Sequence, residues 1–129
     1  MLITGQLKKF LIIGVITVAI DYSAYGILVY FLFNLSFAKT IGFVLGTFFS
    51  FIANRKITFG YHEHFWRGLA KFIFLYAISM TLNVFFNNLS LKLLGNISFK
   101  FQISFIIATI ISATINFLGM KFFVFKKPL

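Results

Sequence analysis

Chemistry in this chain has few places to reside. Asp21 and Glu63 are its only carboxylates, and it contains no cysteine, so a carboxylate pair for glycosidic acid–base work, a thiolate nucleophile and a cysteine-held metal are all unavailable. Glu63 stands between His62 and His64 in a polar stretch and reads as solvated loop charge rather than a metal site. Asp21 is different, because it interrupts a long apolar run. An acid in such a run costs about 2.5–3.5 kcal/mol to place in hydrocarbon, so it faces other helices and has a partner. Asn83 interrupts a second apolar run, with Ser79 and Asn87 four residues to either side on the same helix face. Two uses fit Asp21 and Asn83: a buried structural hydrogen bond or ion pair, and a polar floor that meets substrate hydroxyls or a coupling proton.

The cations form a second set. Arg55 and Lys56 close one apolar run, directly after Asn54, and Lys121 closes another, shortly after Asn116; Arg67 and Lys71 precede a third. Snorkelling and topology determination account for any Lys or Arg at a membrane helix end. A basic rim of this kind also suits a phosphate, because guanidinium binds it through two parallel hydrogen bonds and Lys adds a point charge. On that reading Arg55 and Lys121 are the phosphate partners, and Asn54 and Asn116 orient them.

The elements that must position these groups follow from composition. Twelve Lys and Arg against two Asp and Glu give a net charge of +10, alongside 60% hydrophobic residues, 21 Phe and a mean hydropathy of +1.00. A nucleic-acid-binding domain can carry the charge but not that apolar excess, which must face lipid, and disorder is excluded by the same figures. Four stretches are long enough to cross about 30 Å of hydrocarbon as helices: about 10–33, 38–57, 72–94 and 101–123. Pro128, the only proline, falls outside them, so no proline kink is expected. The first stretch is too long for a signal-peptide core and lacks a cleavage site after it, so it reads as a retained helix. The expected fold is an all-α membrane protein with four transmembrane helices and no metal or other cofactor.

Loop charge sets the orientation. Lys8, Lys9, Arg55, Lys56, Arg67, Lys71, Lys121, Lys126 and Lys127 fall on one side, and Lys39, Lys92 and Lys100 on the other, nine against three. Both termini and the central loop, with Tyr61, Phe65 and Trp66, are expected on the cytoplasmic side.

Self-comparison points to a tandem repeat. At an offset of 62, Lys9-Phe10 lies on Lys71-Phe72, Asp21 on Asn83, and Asn34-Leu35-Ser36-Phe37 on Asn96-Ile97-Ser98-Phe99; beyond Phe37 the offset becomes 66 and places Phe51 on Phe117, Arg55 on Lys121 and Phe59 on Phe125. The chain reads as a single membrane domain over 1–129, with repeat one at about 8–59, a cytoplasmic linker at about 60–69 and repeat two at about 70–125. Units with an even number of spans return to their starting side, which makes the two repeats parallel. In the second helix Ala38, Gly42, Gly46, Ser50 and Asn54 recur every fourth position, as do Ser104, Ala108, Ser112 and Asn116 in the fourth. Small residues on one face let membrane helices approach closely, so each stripe predicts a helix contact.

The order of these motifs resembles the GtrA-like family of small four-helix membrane proteins. The resemblance rests on Lys9-Phe10-Leu11-Ile12-Ile13-Gly14 with an acid in mid-helix, Asn54-Arg55-Lys56-Ile57-Thr58-Phe59, Lys71-Phe72, Asn116-Phe117-Leu118 and Val124-Phe125, and it covers nearly the whole chain. The sequence departs from the family pattern at Met120, where Asn is frequent, and at Phe123, where Trp is common. The resemblance implies movement of a polyprenyl-phosphate-linked monosaccharide to the outer leaflet, where a membrane glycosyltransferase uses it for cell-surface polysaccharide or glycolipid. It implies a bacterial inner or plasma membrane location and no catalytic residues. Four helices enclose little volume, so a homodimer or a complex with the glycosyltransferase is expected. A non-transporting anchor for such an enzyme and a small multidrug-type exporter are the alternatives; the cationic rim and the charge bias weigh against the exporter.

Overall fold

The computed structural model describes residues 3–126. Lys127 and Pro128, used above for the charge count and the kink argument, lie outside the described residues, and the side chains of Leu35, Ser36 and Lys39 are likewise not described. Among the described residues all regular structure is helical: α1 (Ile3–Tyr30), α2 (Leu35–Ala53), α3 (Phe65–Leu94) and α4 (Lys100–Gly119), with α2 running on into a five-residue π turn, Asn54–Thr58, and α4 into another, Met120–Val124. Among the described residues three helical stretches are long and apolar enough to cross a membrane: Ile3–Tyr30, Phe65–Leu94 and Lys100–Val124. The remaining helix, α2, has 19 residues before its π turn.

Two helices begin earlier than their apolar runs. α1 starts at Ile3 and α3 at Phe65, ahead of the expected starts near 10 and 72. Hydropathy marks only the lipid-compatible part of a helix, whereas Gln6, Lys8, Lys9, Arg67 and Lys71 are good helix formers that carry the backbone onward into polar surroundings. At 28 and 30 residues, α1 and α3 are about 42 and 45 Å long, so each overhangs a hydrocarbon core of about 30 Å. At its other end α1 stops at Tyr30 instead of reaching 33. Leu32 takes a left-handed conformation with φ 62°; its N–H donates to Val29 O at 3.0 Å and that of Phe33 to Leu28 O at 3.1 Å, a Schellman closure that pairs the last carbonyls of the helix. Asn34 then opens α2, its Oδ1 accepting from Phe37 N at 3.3 Å as an N-cap does.

By its contacts the chain divides into two compact units, Met1–His62 and Glu63–Leu129. Each is a helix hairpin that ends in a π turn. In the first, the small-residue stripe of α2 lies against α1. A Cβ added to Gly42 would stand 2.6 Å from the Asp21 backbone carbonyl oxygen and 2.7 Å from Asp21 Oδ1, and one added to Gly46 would stand 3.0 Å from Thr17 O. The backbones approach this closely because neither glycine has a side chain, as the stripe predicts. In the second unit the α4 stripe is equally inward, with Ser104 and Ala108 fully buried. Ser112 accepts two hydrogen bonds from α3, and Gly119 packs beneath Leu75.

Most other large apolar side chains are exposed, among them Val15, Val18, Tyr22, Phe74, Phe85 and Phe105. In the most apolar part of α1 only 6% of residues are buried. So much continuous apolar surface requires an apolar solvent, and three threonines in these helices pair their hydroxyls as lipid demands, whereas the buried Ser104 hydroxyl has no partner among the described residues. Thr17 donates to Ile13 O, Thr81 to Ala77 O and Thr114 to Ile110 O, each one turn back at 2.8–2.9 Å.

Candidate functional site

The ends of the two hairpins hold the candidate phosphate partners, on an unusual local backbone. In the first unit the N–H of Phe59 reaches five residues back to Asn54 O at 3.0 Å, and that of Tyr61 donates to Arg55 O at 2.8 Å. In the second, the N–H of Phe125 reaches five residues back to Met120 O at 2.8 Å. Single π turns are rare and recur at functional sites. These two begin 66 residues apart, at Asn54 and Met120, and each carries a cation as its second residue, Arg55 or Lys121.

Their interiors differ. Asn54 is 1% exposed, yet both ends of its carboxamide are bonded: Nδ2 donates to Ser50 O at 2.9 Å and to Ser50 Oγ at 3.2 Å, and Oδ1 accepts from Thr58 Oγ1 at 2.9 Å. Its amide is thus committed to holding the turn. Arg55 is itself buried, with its guanidinium carbon 6.0 Å from the centre of the Tyr61 ring, at the limit of a cation–π contact. In the second unit Met120 and Val124 fill the corresponding buried positions. Lys121 is half-buried, with its ammonium 5.5 Å from the centre of the Phe122 ring. Asn116 belongs to no such network: its Oδ1 is buried and accepts no hydrogen bond among the described residues.

The other cations divide between the units. Lys56 is exposed beside Arg55, and Arg67 is exposed near the start of α3. Lys71 is drawn to the second π turn, where its Nζ donates to the Phe123 carbonyl at 3.3 Å and stands 5.2 Å from the centre of the Phe123 ring. Here the structure brings two predicted elements together, the start of the third helix and the end of the fourth.

The mid-helix polar residues lie on the helix contacts of their own hairpins. Asp21 is partly buried, and its carboxylate and carbonyl pack over Gly42. Asn83 donates through Nδ2 to Ser112 Oγ at 2.9 Å, and Ser79 donates to Ser112 O at 3.3 Å. Asn87, one turn beyond Asn83, is half-buried. Three participants were absent from the predicted site: Ser50, Thr58 and Ser112. Their signal was the four-residue spacing of polar groups, Ser50 to Asn54 to Thr58 and Ser112 to Asn116, which a search for charge passes over.

Apolar helices of membrane length, paired through small-residue faces and ended by cation-bearing turns, define a multi-pass helical membrane protein. The chain belongs to the GtrA/DPMS transmembrane-domain family, whose pattern matches residues 9–125. No solved structure matches it.

Proposed function

We propose that this protein is a translocase that carries a polyprenyl-phosphate-linked monosaccharide from the cytoplasmic to the outer leaflet, where a membrane glycosyltransferase consumes it. Family membership over residues 9–125 is the observation that carries this reading. The protein spans the membrane four times, as two parallel tandem hairpins with both termini cytoplasmic. Arg55 supplies a guanidinium for the phosphate, and Lys56, Arg67, Lys71 and Lys121 add positive charge that draws an anionic lipid to that face. The carbonyl of Asn116, buried and unbonded among the described residues, is an acceptor for a sugar hydroxyl once the packing over it opens, and that bond replaces no existing one. Asp21, Asn83 and Asn87 offer further partners for hydroxyls, and the prenyl chain stays in lipid against the Phe-rich exterior. No covalent bond changes, so the protein works without a catalytic residue or cofactor, in a bacterial inner or plasma membrane. Homodimerisation, or pairing with the glycosyltransferase, supplies the volume that one chain lacks.

A second reading, a non-transporting anchor for the glycosyltransferase, is favoured by the packing of Asp21 and Asn83 into helix contacts. Reconstituted liposomes separate the two. Arg55→Ala combined with Lys121→Ala abolishes inward-to-outward movement of a polyprenyl-phosphate sugar if the protein transports it; full transport by the folded double variant would refute the assignment.

A further inference from the structure

The two π turns share a backbone but not an interior. In the first, Ser50, Asn54 and Thr58 form one continuous chain of hydrogen bonds along the helix face, and all three residues are at most 3% exposed. Buried polar bonds of this kind are strong and directional, because neither water nor lipid offers a substitute partner. They fix the turn against rotation. At positions 66 residues later stand Asn116, Met120 and Val124, of which Met and Val form no such bonds and the Asn carbonyl is unpaired. Met adapts its shape readily, so no buried side-chain network fixes the second turn from within; the side-chain bond it receives comes from the flexible Lys71, at the Phe123 carbonyl.

The cations differ in the same sense. Arg55 is buried and stands over Tyr61, whereas Lys121 is half-buried with a flexible stem. A planar guanidinium rewards a fixed backbone, since its paired bonds to phosphate require one orientation; an ammonium acts as a point charge and gains little from being aimed.

We propose that Ser50, Asn54 and Thr58 are positioning residues for Arg55, and that the two turns have unequal duties: the first recognises the lipid phosphate by geometry, and the second contributes charge alone. This rests on the phosphate-lipid reading above and adds to it a division of labour between the hairpins.

The test uses the full chain in phosphatidylcholine nanodiscs, titrated with geranylgeranyl phosphate and, as a control for the prenyl chain, with geranylgeraniol. Arg55→Ala weakens phosphate-lipid binding about tenfold or more, the loss of a charge-assisted pair. Lys121→Ala weakens it about threefold or less, as for a screened surface charge. Thr58→Val, which keeps the shape and removes the hydroxyl, weakens it several-fold, and Thr58→Ser restores it. Ser50→Ala gives the same direction of change if Thr58→Val does not fold. The decisive comparison is a double-mutant cycle: once Arg55→Ala is in place, Thr58→Val costs no further affinity. An equal loss in both backgrounds, or a larger loss from Lys121→Ala than from Arg55→Ala, overturns the proposal while leaving the phosphate reading intact. If Arg55→Ala leaves the preference for phosphate over alcohol unchanged, the phosphate reading itself fails.

Discussion

Adding one methyl group at Gly42 should separate the helices of the first hairpin. The new Cβ would lie 2.6 Å from the Asp21 carbonyl oxygen, 2.7 Å from Asp21 Oδ1 and 3.3 Å from Tyr25 N. Ordinary contact begins near 3.4 Å, so the closest pair falls 0.8 Å short. Its partner is backbone and cannot rotate aside. The helices must therefore part by most of that distance, which forfeits about a quarter to a half of each dispersion contact across the affected stretch. Overpacking of this kind costs about 1–3 kcal/mol, offset by about 1 kcal/mol from replacing Gly with Ala in a helix. The net expectation is a loss of about 0–2 kcal/mol, against a gain of about 1 kcal/mol where the added methyl meets nothing. Gly14 provides the control, because a Cβ there meets nothing within 4 Å; Gly14→Ala should be neutral or slightly stabilising. Gly119→Ala falls between them, since the group it would strike is the flexible end of Leu75. Circular-dichroism melts in one detergent should rank Gly42→Ala below Gly119→Ala and Gly14→Ala. If Gly42→Ala melts with Gly14→Ala, the close approach of α1 and α2 at Asp21 is not a feature of the protein.

Other expectations follow from the same contacts. Asn83→Leu removes the 2.9 Å bond to Ser112 and should destabilise by about 0.5–1.5 kcal/mol, the range for interhelical bonds in membranes; a larger drop in transport than in stability would show that Asn83 also meets substrate. Asp21→Asn keeps the shape over Gly42 while removing the charge. It should lower liposome transport if the carboxylate serves a sugar or a proton, and leave it unchanged if the protein is an anchor. Because the chain contains no cysteine, single cysteines at Glu63 and Lys126 should label from the cytoplasmic side and one at Ser98 from the outside, read by a membrane-impermeant maleimide; reversed labelling would contradict the topology.

The helices were legible in the sequence because long apolar runs admit no other backbone in lipid. The glycines at 42 and 46 were legible as a contact because four-residue spacing maps directly onto one helix face. The early starts of α1 and α3 were not, since polar helix formers extend a helix without raising hydropathy. Nor were the π turns. They change the hydrogen-bond register without altering composition, so Asn54-Arg55-Lys56-Ile57-Thr58 reads as the end of an ordinary helix. The consequence reached the candidate site: Asn54 and Asn116 looked alike as the ends of two small-residue stripes, yet the first is bonded at both ends of its amide and the second has a buried carbonyl with no donor. Four-residue spacing places Ser50, Asn54 and Thr58 on one face, but which of these polar groups bond to one another depends on the register of the turn.

The central claim is movement of a phosphate-linked lipid sugar, and the most direct measurement is its transbilayer rate in liposomes that contain only this protein. A short-chain polyprenyl-phosphate hexose placed in one leaflet should become accessible to a sugar-modifying reagent on the other side, at a rate that rises with protein and falls to the protein-free level with Arg55→Ala and Lys121→Ala together. Equal rates in loaded and protein-free vesicles, from protein shown to be folded by its melt, would contradict it.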